Sequence, residues 1–142
     1  MGREATTSSS LTREVVRNPY CVVTYDSKTQ IVRFVRSSVP MTSLEEAARH
    51  FGQAVSVINA LGRNRIKLIL DLREAPMKND PQYETAMAEH RRQVAKDIRR
   101  VAVIVRTAAG RLHVQRLQKS DHIEQLIVAD EAEALAHLMR ED

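Results

Sequence analysis

The side chains most able to do chemistry are scattered along this chain. The five histidines, His50, His90, His113, His122 and His137, form no HExxH or comparable pair, so their spacing builds no metal site. Cys21 is the single cysteine and cannot close an internal disulfide. Set beside Val22 and Val23, it reads as a small buried apolar residue. Asp71 and Glu74 are neighbouring carboxylates, but the sequence supplies no Gly-x-Ser-x-Gly turn and no Cys/His grouping to act with them. The expectation is a chain that is not an enzyme and needs no cofactor.

Recognition is the chemistry the residues do offer. Met77 is an apolar residue in the polar loop Ala75-Pro76-Met77-Lys78-Asn79-Asp80, and a flexible thioether suits an adaptable contact. With Arg73 before the loop and Tyr83 and Met87 after it, Met77, Lys78, Asn79 and Asp80 make a candidate partner-binding set. The alternative is that Met77 tucks into the core while Asn79 and Asp80 cap a helix. A second set is basic: Arg91, Arg92, Lys96, Arg99 and Arg100, with positions 92, 96 and 99 on one side of a helix. It could hold an acidic partner, an anionic headgroup or nucleic acid. Glu84, Glu89 and Asp97 interleave with it, so a solvated, ion-paired face is the competing reading. Arg106, Arg111 and Arg116, with His113, follow a strand, where Thr107-Ala108-Ala109-Gly110 could present backbone N–H groups to an anion. One glycine and no Gly-Lys-Ser/Thr ending leave an ordinary strand-to-helix connection as the plainer reading.

Composition narrows the partners. At 142 residues, 43 % hydrophobic and 4 % aromatic with no Trp, the chain fits one domain with an aliphatic core. Its 22 positive and 18 negative residues leave a net charge of +4, well mixed. The scarcity of aromatic side chains near the arginines disfavours base stacking, and with it nucleic acid. No run approaches a membrane span, and Met1–Ser10 lacks the apolar middle of a signal peptide. A cytoplasmic protein is expected, its partner another regulatory protein, with a homodimer or peripheral lipid contact left open.

The elements that must position these residues follow from periodicity. Residues 1–18 read as a flexible polar tail, to which Val15 and Val16 could add a short strand, and 19–142 as one domain. Cys21–Tyr25 and Ile31–Val35 flank the polar turn Asp26–Thr29 as a hairpin. Thr42 or Ser43 caps a helix, Ser43-Leu44-Glu45-Glu46 forms a capping box, and Leu44, Ala47, Ala48, Phe51, Val55, Ile58 and Leu61 give its stripe up to Gly62. Ile66–Leu72 and Val101–Val105 are near-continuous apolar strands of the kind covered on both faces. Asp80-Pro81 starts a helix whose phase runs Tyr83, Met87, Val94, Ile98. A further helix spans Thr107 to about Lys119. Gln125–Val128 is the last strand, and Asp130 with Glu133 caps the last helix. The order β-β-α-β-α-β-α-β-α predicts an α/β fold with a mixed, mostly parallel sheet of about five strands, an N-terminal β-hairpin and about four helices.

This order, with Lys67-Leu68-Ile69-Leu70-Asp71-Leu72 feeding a loop and helix and the ending Leu126-Ile127-Val128-Ala129-Asp130-Glu131-Ala132-Glu133-Ala134-Leu135-Ala136, resembles the STAS domain, the SpoIIAA-like fold of bacterial anti-sigma-factor antagonists. The resemblance covers about residues 20–140. It implies a non-catalytic interaction module of a bacterial signalling system that engages its partner through the loop and helix after the third strand. In that family an Asp-Leu-Ser-type strand end leads to a phosphorylated Ser or Thr. Here Asp71-Leu72 matches, but no Ser or Thr lies between Asp71 and Tyr83. Through lipid-carrier-type relatives, the same resemblance implies as an alternative a carrier or sensor of a small apolar or anionic ligand.

Overall fold

The computed structural model describes residues 12–41, 43–76, 81–121 and 123–140. They form a six-stranded sheet in sequential order, built from β1 (Thr12–Asn18), β2 (Cys21–Asp26), β3 (Ile31–Arg36), β4 (Lys67–Asp71), β5 (Val101–Ile104) and β6 (Leu126–Val128). β1, β2 and β3 are antiparallel to one another; β3, β4, β5 and β6 run parallel. The helices are α1 (Leu44–Leu61), α2 (Pro81–Ala95), α3 (Ala108–Asp121) and α4 (Glu131–Leu138). The α/β class and mixed sheet are as expected.

The sheet holds one more strand than expected. Residues 12–18 are no tail: they pair with β2, through a bulge between Glu14 and Val16. Because Val15 is the extra residue, the flanking polar residues lose strict alternation, and Val16 alone is buried. The charged Arg13, Glu14 and Arg17 suit an edge strand, where they discourage pairing with another chain.

Local sequence explains the turns. Asn18 Oδ1 accepts from the N–H groups of Tyr20 (2.9 Å) and Cys21 (3.1 Å), closing the β1–β2 turn. Asp26 Oδ1 does the same for Lys28 (2.9 Å) and Thr29 (3.3 Å) in the hairpin loop. Ser43 caps α1 by accepting from Glu46 N–H, and Gly62, at φ 91°, ends it where a Cβ would be strained.

Three helices lie on one face of the sheet and one on the other. α1 buries Ala47, Phe51, Ala54 and Ile58 against Val23, Val32, Phe34 and Leu68, joined by Met87 and Val94 of α2. Ala48 and Leu44 of the expected stripe are exposed, and Ala54 takes the seam instead. Val114 of α3 covers Val103 and Val105. On the opposite face, α4 lays Ala134 and Leu138 over Ile69, Ala102, Ile104 and Val128. Its N-terminus is anchored by Glu131, which accepts from Arg33 Nη1 at 2.5 Å.

α2 ends earlier than its sequence phase suggests. Arg63, in the 3₁₀ turn Arg63–Arg65, donates from its guanidinium to the carbonyls of Gln93, Val94 and Lys96, occupying acceptors that a continuing helix would use. Asp97 then takes φ 59°. Arg99 therefore stands beyond the helix and shares no helical face with Arg92 and Lys96.

Two stability outcomes are expected. Leu68, fully buried at the centre of the sheet, should cost about 2–5 kcal/mol when replaced by alanine. A chain starting at Pro19 should lose about 2 kcal/mol or more, from the burial of Val16 and the β1 pairing. Urea denaturation measures both; equal midpoints for the shortened and full-length chains would make β1 dispensable.

Candidate functional site

The ends of β3, β4 and β5 open under α2 and α3 into a cavity of about 140 Å³. It forms where a parallel sheet characteristically binds ligands, beyond the carboxyl ends of its strands. Its walls are largely apolar. Phe34, Leu70, Leu72 and Val103 come from the sheet and its exits, Phe51 from α1, Met87 and Val94 from α2, and Val114 and Leu117 from α3. Ala75 and Pro76 line it where the chain leaves β4, and Tyr83 lines it from the first turn of α2.

Charged groups enter the wall from three elements. Arg91 of α2 donates from Nε to Asp121 Oδ2 at 2.6 Å and from Nη2 to the Glu84 carbonyl at 3.1 Å, and its Nη1 lies 3.5 Å from Glu84 Oε1. Asp121 is 2 % exposed, and its carboxylate is met there by the Arg91 guanidinium. His113 of α3 places Nε2 2.9 Å from Glu84 Oε2, and its Nδ1 is 3.1 Å from Arg116 Nη2. Since an arginine can only donate, Nδ1 accepts and Nε2 carries the proton facing Glu84. That contact is short but poorly aligned, and Glu84 Oε2 keeps unused accepting capacity, as does the buried Gln118 Oε1 on the same wall.

The third element is β3. Arg36, its last residue, reaches the cavity on the same face as Phe34 and donates from Nε to the Tyr20 carbonyl at 3.1 Å. Burial pushes its pKa down from the ordinary arginine value, opposed only by weaker effects of Tyr83 and Cys21. Burial likewise pushes the Tyr83 phenol up, with Arg36 opposing.

The candidate residues read from the sequence separate. Met77, Lys78, Asn79 and Asp80 lie outside the described residues. Tyr83 is half-buried in the cavity wall. Met87 is 3 % exposed and is core, not a docking surface, because its helical position faces the sheet. Arg91 is no surface anion contact, since its guanidinium turns inward to Asp121. Arg92 pairs with Glu89 at 2.7 Å and Lys96 is exposed, as a solvated face requires. Arg106 bridges Glu74 and the Arg73 carbonyl, while Arg111 sits in the first turn of α3. In that turn Thr107 Oγ1 already accepts from Gly110 N–H, the plain strand-to-helix connection.

Glu84, His113, Asp121, Gln118 and Arg36 escaped the sequence reading as a group. Part of the signal was present: Gly110, Val114, Leu117 and Asp121 recur at helical spacing, so an acid occupies an otherwise apolar phase of α3. Among the described residues no three His, Cys, Asp or Glu side chains cluster as metal ligands, and no helix is long and apolar enough to cross a membrane. No protein-family model, curated protein or solved structure matches the chain.

Removing one partner of the buried ion pair should be costly. Asp121→Ala leaves the inward-turned Arg91 with Glu84 alone and is expected to destabilise by about 3 kcal/mol. Arg91→Met with Asp121→Leu should recover part of that loss, and a double-mutant cycle by chemical denaturation would show the coupling; additive effects would mean the pair contributes nothing specific.

Asp71 yields a pH prediction. Burial raises its pKa, but the Arg73 guanidinium (2.7 Å) and backbone N–H outweigh this and hold it below the ordinary carboxylate value. A lowered folded-state pKa gives stability that is present above the unfolded value, about 3.9, and lost as pH falls through the folded one. Asp71→Asn should therefore lower Tm at pH 7, with the difference from wild type closing on acidification below about pH 3.9; a difference constant with pH would refute the ionic contribution.

Proposed function

We propose that this chain is a non-catalytic regulatory module, of the STAS-like kind that its element order from β2 onward resembles, and that it responds to a small apolar ligand held under α2. The observation carrying this reading is the position of the cavity. It lies against the strand end Leu70–Leu72, the segment Ala75–Pro76 and the face of α2 that carries Tyr83 and Met87. These are the loop and helix through which the resemblance expects a partner protein to dock. A ligand filling the cavity would shift the equilibrium among arrangements of that surface, provided it binds one arrangement more tightly than another.

The acids and bases on the wall favour binding over turnover. A His–carboxylate pair can serve as a general base only if one ring nitrogen is free to take a proton from a substrate. The Nδ1 lone pair of His113 is taken by Arg116 and its Nε2 faces Glu84 at 2.9 Å, while Arg91 pairs with Asp121. The wall therefore supplies shape, hydrophobic contact and a few oriented polar atoms, as small-molecule sites generally do.

A thermal-shift and amide chemical-shift titration with benzyl alcohol tests the reading. A ligand at a hundred times its Kd should add about 2.7 kcal/mol of stability. The perturbed amides should be those of Leu70–Leu72, α2 and α3. Leu117→Phe, which drives bulk into the cavity, should fold and abolish both responses. Shifts confined to other faces, or a response undiminished in Leu117→Phe, would remove the cavity from the function.

A further inference from the structure

Among the described residues, the charges around the cavity are not all met by an opposite charge. Arg91 is paired with Asp121 and Glu84, and Glu84 faces His113. Arg36 differs: its Nε donates to a backbone carbonyl, and among the described residues no carboxylate pairs with it. A partly buried guanidinium without an anion is costly to desolvate, and the lowered pKa of Arg36 reflects that burial. Its fork suits two parallel hydrogen bonds to a planar carboxylate. The Tyr20 carbonyl does not need Arg36 as a structural donor, since it also accepts from Ser37 N–H at 2.9 Å.

The rest of the cavity sets the other half of the ligand. Phe34, Phe51, Leu70 and Val103 present no polar atom beyond their backbones. The volume, about 140 Å³, is close to that of a cavity known to hold benzene, about 150 Å³. Resting on the ligand-binding reading above, we propose that the cavity takes a compact apolar monocarboxylic acid, an aromatic or short branched acid, with its carboxylate on Arg36 and its hydrocarbon part among the sheet and α2 side chains. A long acyl chain exceeds the space, and a bare inorganic anion would leave the apolar walls unfilled.

Benzoate, its neutral counterpart benzyl alcohol, and acetate provide the test, titrated calorimetrically into wild type, Arg36→Met and Arg36→Lys. Wild type should bind benzoate at least tenfold tighter than benzyl alcohol and acetate far more weakly than either. Arg36→Met should erase the benzoate advantage while leaving benzyl alcohol unchanged, and Arg36→Lys should keep part of it. The apo Tm of Arg36→Met should hold or rise, because an uncompensated charge has gone, so lost benzoate binding would not reflect unfolding. Benzoate no tighter than benzyl alcohol, or undiminished in Arg36→Met, would overturn the carboxylate and leave the cavity reading intact. Acetate matching benzoate would overturn the apolar part. No heat and no Tm shift with any probe would overturn both readings.

Discussion

Arg91 is the constraint on which the arrangement of α2 and α3 depends. α2 packs closely on α1 but meets α3 sparsely, and the links between α2 and α3 include the buried ion pair of Arg91 with Asp121 beside the Glu84–His113 contact. An apolar contact at that point would draw the helices together and close the space beneath them. A guanidinium spanning Asp121 and the Glu84 carbonyl instead holds a defined separation, because its hydrogen bonds weaken quickly when stretched or bent. Such a pair is a doubtful source of net stability once desolvation is counted. Its effect here is geometric: it fixes the end of α3 against α2 and leaves an apolar space between strand ends and helices.

The sheet explains why that space lies where it does. Strands β3 to β6 advance in order across the sheet, and right-handed crossovers place their connecting helices on one face. The central strands are covered on both faces, which requires apolar residues at successive positions, and Val101–Ile104 is buried throughout. The opposite face is covered by α4 over β4 to β6, and Arg33 reaches across to Glu131 at the margin of that cover. The cavity lies where chain leaves those strand ends, at Leu70–Leu72, Ala75 and Pro76 after β4 and at Val103 of β5.

What the sequence revealed follows the range of the physics. The hairpin around Asp26, the Ser43 and Asp130 caps, and the buried runs in β4 and β5 depend on neighbours within a few residues, and all were legible. β1 was obscured because an edge strand with a bulge has charges where a central strand has alternation. The end of α2 was misjudged because Arg63, some thirty residues earlier in sequence, takes its terminal carbonyls. The basic group 91–99 read in sequence as one helical face interleaved with acids; folding leaves Arg92 with Glu89 as that reading allowed, but turns Arg91 inward and places Arg99 beyond the helix. The Arg92–Glu89 pair is local, but the inward turn of Arg91 and the end of α2 are decided by Asp121 and Arg63, each about thirty residues away in sequence.

Arg36 shows the same limit from the other side. In sequence it is a charged residue closing a strand, where a solvent-facing end is the ordinary expectation. Strand alternation instead puts it on the face of Val32 and Phe34, so its side chain must follow theirs into the interior. Among the described residues, the fold therefore brings a cation to the mouth of an apolar space without bringing a carboxylate to meet it. Replacing it with an apolar residue would bury the same area at lower electrostatic cost, so packing alone gives no reason for an arginine there. An anion arriving with an apolar body would supply that reason, filling the space that the Arg91 pair holds open and completing the charge that β3 delivers.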